Sequence, residues 1–412
     1  MVFSRRKLLI AAYLLLQTLS TLTEGLQTGA MDAAVNAVNI VFIVLFVLWQ
    51  PRCSLPQVRR IKFIARSLVV LLAVPAVLSL VLSGESSQIT GAARIWLWVE
   101  SLLFALAWCD DASKADFLFS VLRRCAFMVL VALLLFNVFS YGETAYGLGH
   151  LFLGSILSLP TLSLFVLALL LAFLYPNGKL LRLFGFTALL ILIALLLKRS
   201  VVVAALVVLA VGWQSFFPRI RYQRLVFAFL AVVVAVIFAA DMVEQLQSSE
   251  LVAERFSDMK KLEASDDLRY LGSGRLRLVE MWWGYYVSSS LPEMLLGQVV
   301  GSPSQVTGIR YLGMSWPMPH NDALDVLLRG GLLALMVYIA LWITLYRALV
   351  RTHPVWTAHD KMVQTIGRLA LFVYVIHIPI GVVTKLQFMT VIVLYIGVAI
   401  RASIDAQVQG RR

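Results

Sequence analysis

The stretch LVVLLAVPAVLSLVLS, Leu68 to Ser83, decides the fold class. It carries no charge, and only Pro75, Ser79 and Ser83 interrupt its apolar side chains. Together with the residues just before it, the run approaches the roughly 20 residues a helix needs to cross about 30 Å of hydrocarbon. The runs VVVAALVVLAV (Val201–Val211) and LVFAFLAVVVAVIFAA (Leu225–Ala240) read the same way. All three are continuous rather than alternating, which excludes a transmembrane β-barrel. A spanning segment must satisfy its own backbone hydrogen bonds, so each run is expected to be a helix.

Working outward, the whole chain of 412 residues is 61% hydrophobic and only 14% charged, with a mean hydropathy of +0.88. No soluble core hides that much apolar side chain. The expected fold is an all-α polytopic membrane protein with about twelve transmembrane helices, each long enough to span. Their approximate bounds are 8–23, 33–49, 64–83, 92–108, 125–140, 148–175, 180–197, 200–217, 224–240, 322–346, 366–383 and 385–401. Pro160 leaves 148–175 open to a second reading, a surface helix followed by a span. The first segment follows Arg5, Arg6 and Lys7 with no small-residue cleavage site, so it reads as a retained span rather than a signal peptide.

Charge orients these spans. With the N-terminus in the cytoplasm, the inner loops hold Arg52, Arg59, Arg60 and Lys62, then Lys114, Arg123 and Arg124, then later groups such as Arg347, Arg351, Lys361 and Arg368. The short outer turns hold only Arg94, Lys198, Arg199 and Lys385. That asymmetry places both termini inside by the positive-inside rule. It also accounts for the net charge of +13 without an acidic partner, so no nucleic acid is expected. Cys53, Cys109 and Cys125 all fall on the reducing side, where no disulfide forms.

One segment breaks the rhythm. Residues 241–321 form a large outer, periplasmic loop between helices nine and ten. It divides the chain into 1–240 (nine-helix region), 241–321 (loop) and 322–412 (three-helix region). Loops of this size are usually functional or disordered, and disorder does not fit the composition here. This one is rich in Trp, Tyr and Met, as in EMWWGYYVSSSLPEMLLGQVVG. Such a composition fits a folded cap at the membrane interface. RLRLVEMWWGYYV within it reads as an amphipathic helix opened by Arg275 and Arg277.

The polar residues near the outer face are the candidate site. His320 is the one histidine of the loop, and an imidazole can serve as a general base near neutral pH. Pro317 and Pro319 stiffen the approach to it. Asn321 or Asp322 can cap the tenth helix. Lys198 and Arg199 share a very short outer turn; Arg199, Arg275, Arg277 and Arg310 each read either as an anion clamp, through the planar guanidinium fork, or as a solvated or snorkelling charge. Asp325 and Arg329 stand four apart inside a span, a spacing that pairs them on one helix face, and an intramembrane charge is a functional candidate by default. Glu100 and His377 read as structural. Walker A, HExxH, GxSxG and Asp-x-Asp metal signatures are absent from the motifs, so no metal and no cofactor are expected.

These residues resemble the bacterial O-antigen ligase and polymerase superfamily. The resemblance is architectural throughout and lies in sequence around 198–200, 272–301 and 320–334. The ligase pattern of His-Asn, nine residues and Gly is matched by His320, Asn321 and Gly331. Ala334 stands where that pattern has Gly, Thr or Tyr, and Arg329 stands near a position often held by Glu. Arg199 and Arg275, or Arg277 in its place, match the family's outer arginines. The resemblance implies an inner-membrane glycosyltransferase that uses neither nucleotide sugar nor metal. Its donor is an undecaprenyl-diphosphate-linked glycan at the periplasmic face. Its acceptor is lipid A-core for a ligase, or a lipid-linked repeat for a polymerase. His320 would be the base, and Arg199 and Arg275 would neutralise the diphosphate. A polysaccharide or lipid transporter is the alternative from another class.

Overall fold

A computed structural model describes residues 4–22, 29–83, 87–139, 159–175, 183–185, 187–188, 199–216, 275–297, 321–350, 357–380, 382–383 and 385–409. Among them every regular element is helical. In chain order the α-helices are α1 (Arg5–Leu22), α2 (Gly29–Trp49), α3 (Pro56–Ser83), α4 (Ser87–Trp108), α5 (Ala112–Phe139) and α6 (Leu159–Leu170). They continue with α7 (Arg199–Phe216), α8 (Arg275–Val287), α9 (Leu291–Leu296), α10 (Asp322–Val350), α11 (Ala358–His377) and α12 (Leu386–Gln409).

Four described helices are long and apolar enough to cross a membrane: α3, α4, α10 and α12, over Pro56–Leu82, Ile89–Trp108, Asp322–Val350 and Leu386–Val408. Ala33–Trp49 and Leu162–Leu174 are shorter apolar helices. The expected span 224–240, residues 148–158 of the expected span 148–175, and most of 180–197 lie outside the described residues. Several helices begin earlier than their apolar stretches. α5 starts at Ala112 rather than 125, because Asp111 accepts the Lys114 N–H at 2.9 Å and caps it. α11 starts at Ala358 rather than 366, where Thr357 and Asp360 form a reciprocal capping box. In both cases the charged first turns still gain helical hydrogen bonds beyond the apolar window.

The chain divides into two compact units. One comprises Met1–Gln17, Gln27–Val121 and Arg277–Arg412. Its centre is α12, which packs against α4, α10 and α11 and is buried through most of its length. α3 packs against α4 and α10. Aromatic rings fill the interior: Trp342 stacks on Tyr374 with centroids 4.1 Å apart, and Trp98 lies 6.3 Å from Trp342. The Trp98 indole N–H donates to the Val383 carbonyl at 3.1 Å, and the Tyr338 and Tyr374 hydroxyls share a hydrogen bond. The outer faces are the reverse of a soluble protein's. α3 exposes Phe63, Val70, Val74, Val77 and Val81, and α10 exposes Met336, Ile339, Ile343, Tyr346 and Val350. Residues three and four apart line one side of a helix, so Val70, Val74, Val77 and Val81 on α3 and the α10 set are each a continuous apolar stripe, with Phe63 two turns before Val70 on the same side. Contiguous exposed apolar surface of this kind calls for lipid or a partner, and the span-length helices that carry it fit a bilayer.

Many of the basic residues collect at one end of this unit. Arg6 donates to the Trp49 carbonyl at 3.1 Å, Arg368 to that of Leu349 at 3.0 Å and Arg401 to that of Leu106 at 3.2 Å. These contacts lie at the C-terminal ends of α2, α10 and α4. The starts of α4 and α10 lie at the opposite end, with the candidate residues of α10.

The second unit comprises Thr18–Leu26 and Leu122–Leu276. In it α6 runs into a 3₁₀ turn, Leu171–Leu174, and packs against α7. Pro160 sits in the first turn of α6, where its missing N–H costs nothing. Phe127 meets Phe173 edge-on at 5.7 Å.

Candidate functional site

The start of α10 gathers the polar residues that the sequence singles out. Asn321 precedes the helix, and its side-chain oxygen accepts the Leu324 N–H at 3.1 Å. It is therefore the N-cap, which frees Asp322 for another task. Asp322 is fully buried. Its Oδ1 accepts the backbone N–H groups of both Val382 and Val383, the latter at 2.8 Å. One carboxylate oxygen thus ties the α11–α12 connection to the first turn of α10.

One turn further on, the Arg329 Nε donates to both oxygens of Asp325, at 3.1 and 3.0 Å. The i, i+4 pair expected from the sequence is formed. Its guanidinium lies against α4 at Gly91, where any β-carbon would overlap it. A charged pair inside an apolar bundle is tolerated when each partner satisfies the other, whereas removing one leaves a costly lone charge.

Gly331 then breaks the helix with φ 68° and ψ −171°. The reason is a close approach. The backbone of α9 at Leu295 and Gly297 presses on α10 so tightly that a β-carbon at Gly331 would strike the Leu295 carbonyl. A β-carbon at Gly297, itself at φ 89°, would strike the Arg329 carbonyl. Both residues occupy the left-handed region that only glycine enters without strain. α10 is thus two helical pieces joined at the point where the loop helices dock.

Those loop helices form a small hairpin. α8 covers Arg275–Val287, the expected amphipathic segment. Its Trp282 (4% exposed) and Tyr286 pack on Leu324, Leu327 and Leu328 of α10. The Tyr286 hydroxyl donates to the Met294 carbonyl at 2.9 Å and pins α9 to α8. A capping box between Ser290 and Glu293 starts α9. Burial raises the phenol pKa of Tyr286, and that of Tyr285 is raised by burial and then by the Glu293 carboxylate, so both rings stay neutral donors. The other side of the hairpin is greasy: Trp283 (54% exposed), Val287 and Leu291 point outward. Such a surface suits the headgroup level of a bilayer.

Arg275 is the first residue of α8, with Arg277 in the same turn. Arg199 is the first residue of α7, in the second unit. Lys198, Arg310 and His320 lie outside the described residues. Asn321, Asp325 and Arg329 come together, and the helix that Arg275 opens docks beside them. Glu100 pairs with Arg66 at 3.2 Å, and a ring nitrogen of buried His377 lies 2.5 Å from the Val373 carbonyl, as structural residues would. Sequence reasoning missed the clamp made by Asp322 and the clearances at Gly91 and Gly297. Only the positions of glycines just ahead of Arg94 and after the α9 segment hinted at the latter. Among the described residues no group of three or more His, Cys, Asp or Glu could hold a metal ion. No protein-family model matches the chain, and no curated protein matches it in sequence.

Proposed function

We propose that this chain is an inner-membrane glycosyltransferase of the O-antigen ligase type. It would move a glycan from undecaprenyl diphosphate to an acceptor hydroxyl at the periplasmic face. The observation that carries the reading is the docking of α8 on the N-terminal piece of α10 through Trp282, Tyr286 and Leu324, Leu327 and Leu328. That contact brings the helix opened by Arg275 to the helix that follows His320-Asn321, although 44 residues separate Arg277 from Asn321 in sequence (321 minus 277).

In this reading the acceptor oxygen attacks the anomeric carbon of the donor sugar. The bond from that carbon to the diphosphate oxygen breaks, and undecaprenyl diphosphate leaves. The hydroxyl proton passes to the His320 imidazole, whose ordinary pKa suits a base near neutrality. Charge developing on the leaving diphosphate is met by Arg199 and Arg275, with Arg277, Lys198 and Arg310 as further cations; fixed donors aimed at developing charge are a large catalytic term. Arg329 is committed to Asp325, so its part is to hold α10 in its broken shape beside the site. Asn321, the next residue after His320 in sequence, caps the helix start. The remaining features follow the same picture: about twelve spans long enough to cross, both termini cytoplasmic, residues 241–321 as a periplasmic cap, and lipid A-core as acceptor.

Two other readings rest on specific observations. Ala334, where the ligase pattern has Gly, Thr or Tyr, favours a polymerase whose acceptor is a lipid-linked repeat. The break at Gly331 inside an apolar helix that carries an ion pair is a feature of transporters. Purified protein in detergent, given lipid-linked donor and acceptor, separates the three. Glycan transfer without any sealed compartment supports a transferase, and the acceptor that is used separates ligase from polymerase. No transfer in detergent, with glycan movement across proteoliposomes, makes it a transporter.

A further inference from the structure

At the basic end of the first unit, opposite the candidate site, a cleft of about 130 Å³ opens between α3, α10 and α12. That is room for roughly four waters, or for one phosphate group with its oxygens. Arg60 of α3 and Arg347 of α10 line it, and no acidic side chain does. Both arginines are exposed, and neither forms an ion pair among the described residues. The cleft floor is polar and already ordered. The Gln57 amide donates to the Gln407 side-chain oxygen at 2.8 Å, and the Ser403 hydroxyl donates to the Ala348 carbonyl at 3.3 Å.

The surroundings identify the source of the phosphate. One turn from Arg60 toward the middle of the helix stands Phe63, 75% exposed, and one turn from Arg347 in the same sense stands Ile343, 44% exposed. Both arginines therefore sit where headgroups lie, with bare apolar surface directly beneath them for acyl chains. A soluble anion would use the charge and ignore the apolar surface. We propose that this cleft binds the phosphodiester headgroup of an anionic phospholipid from the leaflet at the basic end, with the lipid's chains against Phe63 and Ile343. Basic pockets between membrane helices at this depth favour such lipids. The proposal rests on α3 and α10 lying in a bilayer, and not on the transferase reading.

The test is native mass spectrometry of the full-length protein in detergent, titrated with dioleoyl-phosphatidylglycerol and dioleoyl-phosphatidylcholine in the same sample. The parent should prefer phosphatidylglycerol. The Arg60→Gln/Arg347→Gln variant should lose about 25-fold of that preference, the product of two roughly fivefold losses for basic residues at a membrane surface. Arg60→Lys/Arg347→Lys should retain most of it. The ratio of the two lipids within one sample is insensitive to partial unfolding, which would lower both. Arg5→Gln/Arg52→Gln, with the same change in net charge at two residues that do not line the cleft, should keep the parent preference. Inorganic phosphate at millimolar concentration should not displace the lipid. An equal loss in the control variant, equal binding of the two lipids by the parent, or displacement by phosphate alone would each overturn the proposal.

Discussion

Replacing Asp322 with alanine removes the acceptor shared by the Val382 and Val383 N–H groups and leaves both donors buried. A buried unsatisfied donor costs about 1–3 kcal/mol, so the two together cost about 2–6 kcal/mol. The loss is local, because the clamp joins α10 to the α11–α12 connection and no other element among the described residues. Hydrogen–deuterium exchange over a peptide containing Val382 and Val383 reads it directly, without requiring reversible unfolding of a detergent-solubilised protein. At the lower bound of about 2 kcal/mol, exchange there should accelerate about 30-fold, since each 1.4 kcal/mol is a factor of ten. Asp322→Asn is the discriminating partner. It keeps an oxygen where Oδ1 stands, and the atom it changes, Oδ2, has no hydrogen-bond partner among the described residues. Asparagine keeps the acceptor for both N–H groups, so exchange at Val382 and Val383 should be clearly slower than in the alanine variant. Parental exchange in the alanine variant, or equal acceleration in both variants, would refute the clamp.

Gly331→Ala should destabilise the protein by about 1–3 kcal/mol through left-handed backbone strain, and more through collision with the Leu295 carbonyl, read as a lowered melting temperature in detergent; Gly284→Ala, whose β-carbon would meet nothing within 4 Å among the described residues, should be neutral or slightly stabilising in the same melt. Trp282→Ala empties the contact with Leu324, Leu327 and Leu328; a loss of about 3–5 kcal/mol is expected for a buried tryptophan, seen as faster proteolytic cleavage of the α8–α9 hairpin than of α3. The Ser113 hydroxyl, with help from the Lys114 side chain and backbone, holds the Asp111 carboxyl down to about 2. A depressed carboxylate stabilises the fold fully above its unfolded pKa and stops doing so as pH falls through the folded one. Parent and Asp111→Ala melting curves should therefore differ at pH 6 and converge as pH approaches about 2.

What the sequence disclosed and what it withheld divide along the range of the interactions. α8 was legible from Arg275 to Val287 because its amphipathic pattern is local. The start of α10 was legible from Asn321, since an N-cap acts within three residues, and the Asp325–Arg329 pair from its spacing of four. The early start of α11 was signalled by Thr357 and Asp360 but lay beyond the apolar window used to place the span. The break at Gly331 was not legible. A glycine pair in an apolar run is compatible with a continuous helix; only the backbone of α9, pressed against it, forces the left-handed φ. Asp322 was open to reading as a cap because its true partners stand 60 and 61 residues away. The candidate cations show the same limit: Arg199 and Arg275 stand at helix starts, while the pairing that commits Arg329 to Asp325 decides what charge remains for a ligand.

The measurement that bears most directly on the proposed chemistry is a single-turnover transfer assay on purified protein, with undecaprenyl-diphosphate-linked glycan as donor, comparing the parent with His320→Ala. A general base contributes about 10²–10⁴-fold to rate, so the variant should retain donor binding and lose at least about a hundredfold in the transfer step. Transfer by His320→Ala at the parent's rate would contradict the account.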